Sequence, residues 1–146
     1  MIKNYFLLSL DKKNFFQYIL KRGEKASLNI FSDKEIETII FGNPSFTSNI
    51  NIENFYKDWN DKFLRKNFSG IDGEFIIIEI YKKDNRIRVI NSRFASPNLY
   101  YYIDNEIILL SNNFFYLNKI LKKKNKFQIN NNAVYEFFKF RRIFGD

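Results

Sequence analysis

The chain has 146 residues, 24 Lys and Arg against 16 Asp and Glu, a formal net charge of +8, 19% aromatic residues, and neither Cys nor His. That length suits one ordinary domain with a real core, here spanning residues 1–146. Without cysteine there is no disulfide, no thiolate nucleophile and no Cys-ligated metal, and without histidine the commonest base and metal ligand is missing, so Ser–His–Asp and Cys–His catalysis are excluded. Carboxylates, Lys, Tyr, Ser, Thr and backbone groups remain for chemistry. The positive charge speaks to association and solubility rather than to role. The enrichment in Phe, Ile, Tyr, Asn and Lys is also what an A/T-rich coding sequence produces.

The start, Met1 to Leu10, has only a short apolar run broken by Asp11-Lys12-Lys13 and no small-residue cleavage site. A secretory signal is therefore not expected, no stretch approaches membrane-spanning length, and the expected location is the cytoplasm. Tyr5 to Leu10 is apolar and β-prone and predicts a buried strand. Lys13 to Leu20 fits either a short helix or a second strand, and Lys21-Arg22-Gly23-Glu24 then predicts a turn. Leu28 to Phe31 predicts a strand. Ser32-Asp33-Lys34-Glu35 has capping-box spacing, but Gly42-Asn43-Pro44 halts the following apolar run, which favours a turn and a strand over Glu37 to Phe41.

From about Ile52 to Asn67 the spacing predicts a helix, with Ile52, Phe55, Tyr56, Trp59 and Phe63 on one face, Asn51 as its cap and Ser69-Gly70 after its end. That aromatic stripe is most simply a core face. Gly70-Ile71-Asp72-Gly73 reads as turn-like. Glu74 to Tyr81 is the strongest strand pattern, and Lys82 to Asn85 turns it into Arg86 to Ile90. Asn98 to Ile103 and Ile107 to Leu110, joined at Asp104-Asn105-Glu106, complete an expected antiparallel meander. Ser111-Asn112-Asn113 can cap a helix carrying Phe114, Phe115, Leu117, Ile120 and Leu121. A basic stretch, Lys119 to Lys126, follows, and Val134, Phe137 and Phe138 mark a last helix. With only 5 Gly and 2 Pro, no phosphate-cradling glycine pattern is present.

Ser69 to Tyr81 resembles the "L-x-G-x-F-A-x-A-x-x-D" strand of class II glutamine amidotransferase domains. Arg86 to Tyr102 is similar to the asparagine-synthetase segment "L-x-L-x-R-D-R-F-G-x-x-P-L-Y-Y". Ile108 to Leu117 resembles "F-A-S-E-x-K-A-L-L", and Val134 to Asp146 is similar to the family's "eyl-x-f-g-x-x-x-g-d" exit. Lys21-Arg22-Gly23-Glu24 faintly resembles "H-R-G-P-D". The ordered set covers residues 69–146 well and 1–68 weakly. The resemblance implies an α+β fold of the Ntn-hydrolase type, an αββα sandwich of two antiparallel sheets with flanking helices, reduced in its N-terminal half.

In the family, the Cys after the initiator Met attacks the glutamine carboxamide with its own α-amine as base, and a second, ATP-using domain consumes the ammonia. Here Ile2 stands in place of that Cys, so the family's nucleophile is absent. Gly42-Asn43-Pro44-Ser45-Phe46 is the nearest counterpart of its "N-G-E-I-Y-N" oxyanion loop. Asn51, two before Glu53, falls where an aspartate would receive the substrate amine. Ser92 and Ala95 replace the Asp and Gly of "R-D-R-F-G", whereas Arg93 is kept. Lasso-peptide cyclases carry a similarly cysteine-free domain ahead of an asparagine-synthetase-like ligase. This chain has no "S-G-G-x-D-S" ATP-pyrophosphatase motif.

The resemblance therefore implies a non-catalytic amidotransferase-like domain, truncated or stand-alone, whose partner would be an ATP-dependent asparagine-synthetase-like ligase domain or chain. No catalytic residue, metal ligand or cofactor is expected. Two other readings come from the residues. Lys119, Lys122, Lys123, Lys124, Lys126, Lys139, Arg141 and Arg142 could form a basic module for nucleic acid or another polyanion. A solvated lysine-rich loop is the simpler account, so nucleic acid is not the expected partner. Asp72 with Glu74 or Glu79 could make a hydrolytic carboxylate pair, although Asp72 suits a turn and Glu79 can pair with Arg86 or Arg88 across the hairpin. Tyr101 should face away from Tyr100 and Tyr102, with burial between layers, and Arg93 is expected in structural hydrogen bonds.

Overall fold

A computed structural model describes residues 4–46, 71–128 and 131. The described residues form eight strands and one helix, in the order β1 (Phe6–Asp11), β2 (Asn14–Arg22), β3 (Leu28–Ser32), β4 (Ile36–Phe46), β5 (Ile71–Tyr81), β6 (Arg86–Asn91), β7 (Tyr100–Ile103), β8 (Ile107–Ser111) and α1 (Phe114–Lys123). They make an α+β arrangement of two four-stranded sheets, β2-β1-β8-β7 and β3-β4-β5-β6, in which every pairing is antiparallel.

The alternation of side chains along each strand builds the layers. Phe6, Leu8, Leu10, Ile108 and Leu110 of the first sheet meet Ile39, Phe41, Ile76, Ile78 and Ile80 of the second in one buried core. The Phe6 and Phe41 rings lie 5.0 Å apart across it. The intervening residues of each sheet face outward. On the first sheet, Leu109 packs against Leu117 and Leu121 of α1. On the second, Ile40, Phe75 and Ile77 form a separate buried cluster. This two-sided burial explains why β5 reads as a nearly continuous apolar run.

Helix α1 starts where its cap permits. Asn113 Oδ1 accepts from the N–H groups of Phe115 (3.0 Å) and Tyr116 (3.3 Å). It ends in a Schellman motif: Asn125 takes a left-handed φ of 54°, its N–H donates to Lys122 O, and the Lys126 N–H donates to Leu121 O.

Between the sheets, Tyr18 of β2 donates its hydroxyl hydrogen bond to Glu37 of β4, with Lys82 Nζ 3.6 Å from that carboxylate. Burial, and then the Glu37 carboxylate, hold the Tyr18 phenol well above its ordinary pKa.

Several expectations need correction. β4 does not stop at Gly42-Asn43-Pro44 but continues to Phe46, paired with Ile71. β3 begins opposite Phe41, so beyond it β4 has, among the described residues, a strand partner on one side only, where a proline is tolerated. Ile71-Asp72-Gly73 belongs to β5 rather than to a turn, because β4 reaches far enough to pair with it. Lys21 and Arg22 are still in β2, opposite Leu7 and Phe6, and the turn falls at Glu24 and Lys25.

The expected meander is split. β5 and β6 form one hairpin and β7 and β8 another, each in a different sheet. The segment between Asn91 and Tyr100, with a cis Ser96–Pro97 peptide bond, carries the chain across. At Ser32 to Glu35 the Asp33 carboxylate, not Ser32, accepts from the Glu35 and Ile36 N–H groups (both 2.7 Å), making a turn into β4. The helices expected over 52–67 and near the C-terminus lie outside the described residues. Among the described residues no helix is long and apolar enough to cross a membrane.

Candidate functional site

One end of the sandwich brings together described parts of several segments that resemble the amidotransferase motifs. β1 enters there at Phe6, opposite the end of β2 at Arg22 and beside the end of β8. β4 and β5 run past the edge of the second sheet there, from Gly42 to Phe46 and from Ile71 to Phe75, and β6 leaves at Asn91. The start of β1 is anchored at this end. The Phe6 N–H donates to Asn112 Oδ1 (2.8 Å), Asn112 Nδ2 donates to Asn4 O (3.3 Å), and Ser111 Oγ donates to Phe6 O (2.6 Å). The Gly23 N–H donates to Tyr5 O at 2.8 Å, which places Lys21-Arg22-Gly23-Glu24 beside the same segment.

Two glycines let β4 and β5 cross closely here. Gly42 (φ +95°) and Gly73 (φ +99°) both occupy the left-handed side of backbone space. A Cβ on Gly42 would lie 2.2 Å from Glu74 O, and one on Gly73 would lie 2.5 Å from Asn43 O. Around them, Ser27 Oγ donates to Gly42 O (3.2 Å) and Asn43 Oδ1 (3.1 Å), and the Gly42 N–H donates to Ser27 O (2.9 Å). The Asn43 side chain is thus held by Ser27.

Ser92 organises the adjoining loop. It is buried, its N–H donates to Phe75 O (3.0 Å), its Oγ donates to Ser96 O (2.5 Å), and that same Oγ accepts from the Ser96 N–H (3.0 Å). Ala95, where the family motif has glycine, has a φ of 51°. Alanine adopts this left-handed conformation less easily than glycine does. Arg93, expected in structural hydrogen bonds, is exposed and makes none among the described residues. Its guanidinium carbon lies 6.0 Å from the ring of Phe94, which is 83% exposed.

The candidate carboxylates do not converge. Asp72 accepts from the neighbouring Gly73 N–H (2.7 Å), whereas Glu74 accepts from Ser96 Oγ (2.8 Å), and both are exposed. Glu79 is fully buried on the outward side of β5. There it accepts from Arg88 Nε (2.5 Å), its ladder partner, and from the Tyr81 hydroxyl (2.9 Å). Of the two arginines offered by the hairpin, Arg88 takes the pair, while Arg86 lies 4.1 Å from the Tyr81 ring centre. Among the described residues no group of three or more carboxylates is arranged to hold a metal ion.

Tyr100 and Tyr102 turn toward α1 and pack against its cluster, and Tyr101 points the other way, as alternation requires. However, Tyr101 is 68% exposed rather than buried, because β7 is the edge strand of its sheet.

At the opposite end lies a polar cluster that sequence reasoning treated only as a turn. Asp104 accepts from the Glu106 N–H (2.7 Å), the Ile107 N–H (2.8 Å), the Tyr102 hydroxyl (3.1 Å) and Lys126 Nζ (2.5 Å). Lys126 Nζ also donates to Glu106 Oε2 (2.7 Å). The lysine, and then the two backbone donors, hold the Asp104 carboxyl well below its usual range, and the two carboxylates raise Lys126. Lys126 therefore leaves the set of free cations in the basic stretch. Lys139, Arg141, Arg142 and Asn51 lie outside the described residues.

No family model matches this chain, and no curated protein or solved structure matches it significantly.

Proposed function

We propose that this chain is a non-catalytic domain of the class II glutamine amidotransferase type. It serves as the structural partner of an ATP-dependent amide-forming ligase of the asparagine-synthetase kind. Its fold is then a reduced Ntn-hydrolase-like αββα sandwich, of which the two facing antiparallel sheets and outer helix α1 are the described layers. The observation that supports this most is a juxtaposition. Asp72 to Phe75 and the Ser92 to Pro97 loop, which resemble family motifs, and Gly42 to Phe46, the nearest counterpart of the oxyanion loop, are distant in sequence but meet beside the start of β1 at one end of the sandwich.

In such a domain the first residues carry the nucleophile, and Ile2 offers neither thiol nor hydroxyl. The hydroxyls of Ser27, Ser92 and Ser96 donate to a carbonyl or carboxylate within the loops, and among the described residues none donates to an amine base. What the scaffold offers a partner is shape.

The test has two arms. The purified chain is incubated with glutamine and released ammonia is measured, with none expected. A tagged chain is then co-expressed with a candidate ligase carrying the "S-G-G-x-D-S" motif, and a stoichiometric complex is expected on size exclusion. Ammonia release by the chain alone, or no complex with such ligases encoded beside it, overturns the reading.

A further inference from the structure

Helix α1 presents two unlike faces. Leu117 and Leu121 are buried against Leu109 of the first sheet. Phe115, Lys119 and Lys122 recur at i, i+4 and i+7, so they fall together on the opposite face, with Lys123 beside them. Phe115 is 74% exposed, its neighbour Phe114 is 46% exposed, and all four lysines from Lys119 to Lys124 are exposed. No acidic residue occurs anywhere in α1.

Elsewhere Lys82 pairs with Glu37, Lys83 with Glu35, and Lys126 with Asp104 and Glu106, while the exposed Lys13, Lys21, Lys25 and Lys34, which also have no carboxylate partner among the described residues, are spread over β2 and three separate turns rather than gathered on one face. Among the described residues, no carboxylate lies within ion-pair distance of Lys119, Lys122, Lys123 or Lys124. Lys122 Nζ instead lies 5.2 Å from the Phe127 ring centre. Lys122 and Lys123 also suit the negative end of the helix dipole, which accounts for part of the pattern. It accounts neither for Lys119, a turn earlier, nor for the exposed rings at the other end.

We propose that this face of α1 binds single-stranded nucleic acid, with Lys119, Lys122 and Lys123, joined by Lys124 of the C-cap at the helix end, contacting phosphates and Phe115 stacking on a base. The proposal is independent of the amidotransferase reading. Three observations select this occupant. The unmatched cations call for a polyanion. The exposed ring offers a π-face that an unpaired base can cover and a duplex cannot, since its bases are already stacked. A membrane surface fits poorly, because the apolar side of α1 is used against the sheet and Phe115 alone would remain to insert.

The experiment measures anisotropy of a fluorescein-labelled twelve-nucleotide mixed-sequence single strand titrated with the full chain from 50 to 200 mM NaCl. With three to four phosphate contacts, the slope of log K against log salt is expected to be about −2 to −3, a loss of about 20–50-fold over that range. The variant K119Q/K122Q/K123Q/K124Q is expected to abolish the slope. The variant K13Q/K21Q/K25Q/K34Q, with the same net charge and exposed positions elsewhere, is expected to keep it. F115A is expected to weaken binding about tenfold with the slope unchanged. Circular dichroism confirms that each variant is folded. Equal weakening by the two quadruple variants, no effect of F115A, competition by poly-glutamate as effective as by oligonucleotide, or no binding at 50 mM salt overturns the proposal.

Discussion

The close crossing of β4 and β5 gives the sharpest quantitative test. Replacing Gly42 with Ala places a methyl group 2.2 Å from Glu74 O, where real Cβ contacts do not go below 3.0 Å. The obstacle is backbone on both sides, so it cannot be relieved by rotating a side chain. Two costs add. Holding a non-glycine residue at φ +95° costs about 1–2 kcal/mol. Separating the strands by roughly an ångström weakens the neighbouring ladder bonds, each worth about 1 kcal/mol. The sum for G42A is about 3–4 kcal/mol, which for a domain of this length corresponds to a fall in Tm of about 10 °C. Urea denaturation followed by far-ultraviolet circular dichroism measures it directly. A G42A variant within 1 kcal/mol of the parent would refute the reasoning, because it would mean that the strands at this end are free to part.

Ala95 supplies the converse. It carries a left-handed φ of 51° with a Cβ, so A95G relieves about 1–2 kcal/mol of strain against about 0.5–1 kcal/mol of added backbone entropy. A net gain of about 0.5–1 kcal/mol in the same urea assay is expected, and a loss would contradict the assigned conformation. Asp104 supplies a pH test. Its folded pKa is depressed by Lys126 and by two backbone donors, so its contribution is fully present above the unfolded value of about 3.9 and is lost as pH falls through the folded value. The stability difference between the parent and D104N is therefore expected to be constant above about pH 5 and to shrink steadily toward pH 2, followed by thermal melts across that range.

How far the sequence disclosed this molecule depends on whether local patterns were left unopposed. The β1, β5, β6 and β8 segments were legible because apolar runs bounded by charged turns have few alternatives, and Asn113 was legible as a cap because a polar residue just ahead of an apolar periodicity satisfies free N–H groups. The extension of β4 through Gly42-Asn43-Pro44 was not legible, since those residues normally end strands. What overrides them is a partner nearly 30 positions away, Ile71 to Phe75, whose own glycine makes room for the crossing. The same blindness to distant partners merged two hairpins into one meander. Nothing local in Ser92 to Leu99 says that the next strand joins the opposite sheet.

The candidate end of the sandwich was legible as a set of motif positions but not as a place. Lys21 to Glu24, Gly42 to Phe46 and Ser92 to Pro97 are separated by stretches long enough to lie anywhere, and only antiparallel pairing in two facing sheets returns them to one end. The contacts that hold that end are of kinds a sequence does not advertise: a side-chain amide, Asn112, clamping the entry of β1, and a serine, Ser92, folded back on its own loop. Such bonds fix the backbone. A catalytic hydroxyl is instead hydrogen-bonded to the base that activates it. Here Ser27, Ser92, Ser96 and Asn43 are bonded to the scaffold itself. That pairing supports the proposal that this end acts by shape, and the ammonia and complex-formation assays test it.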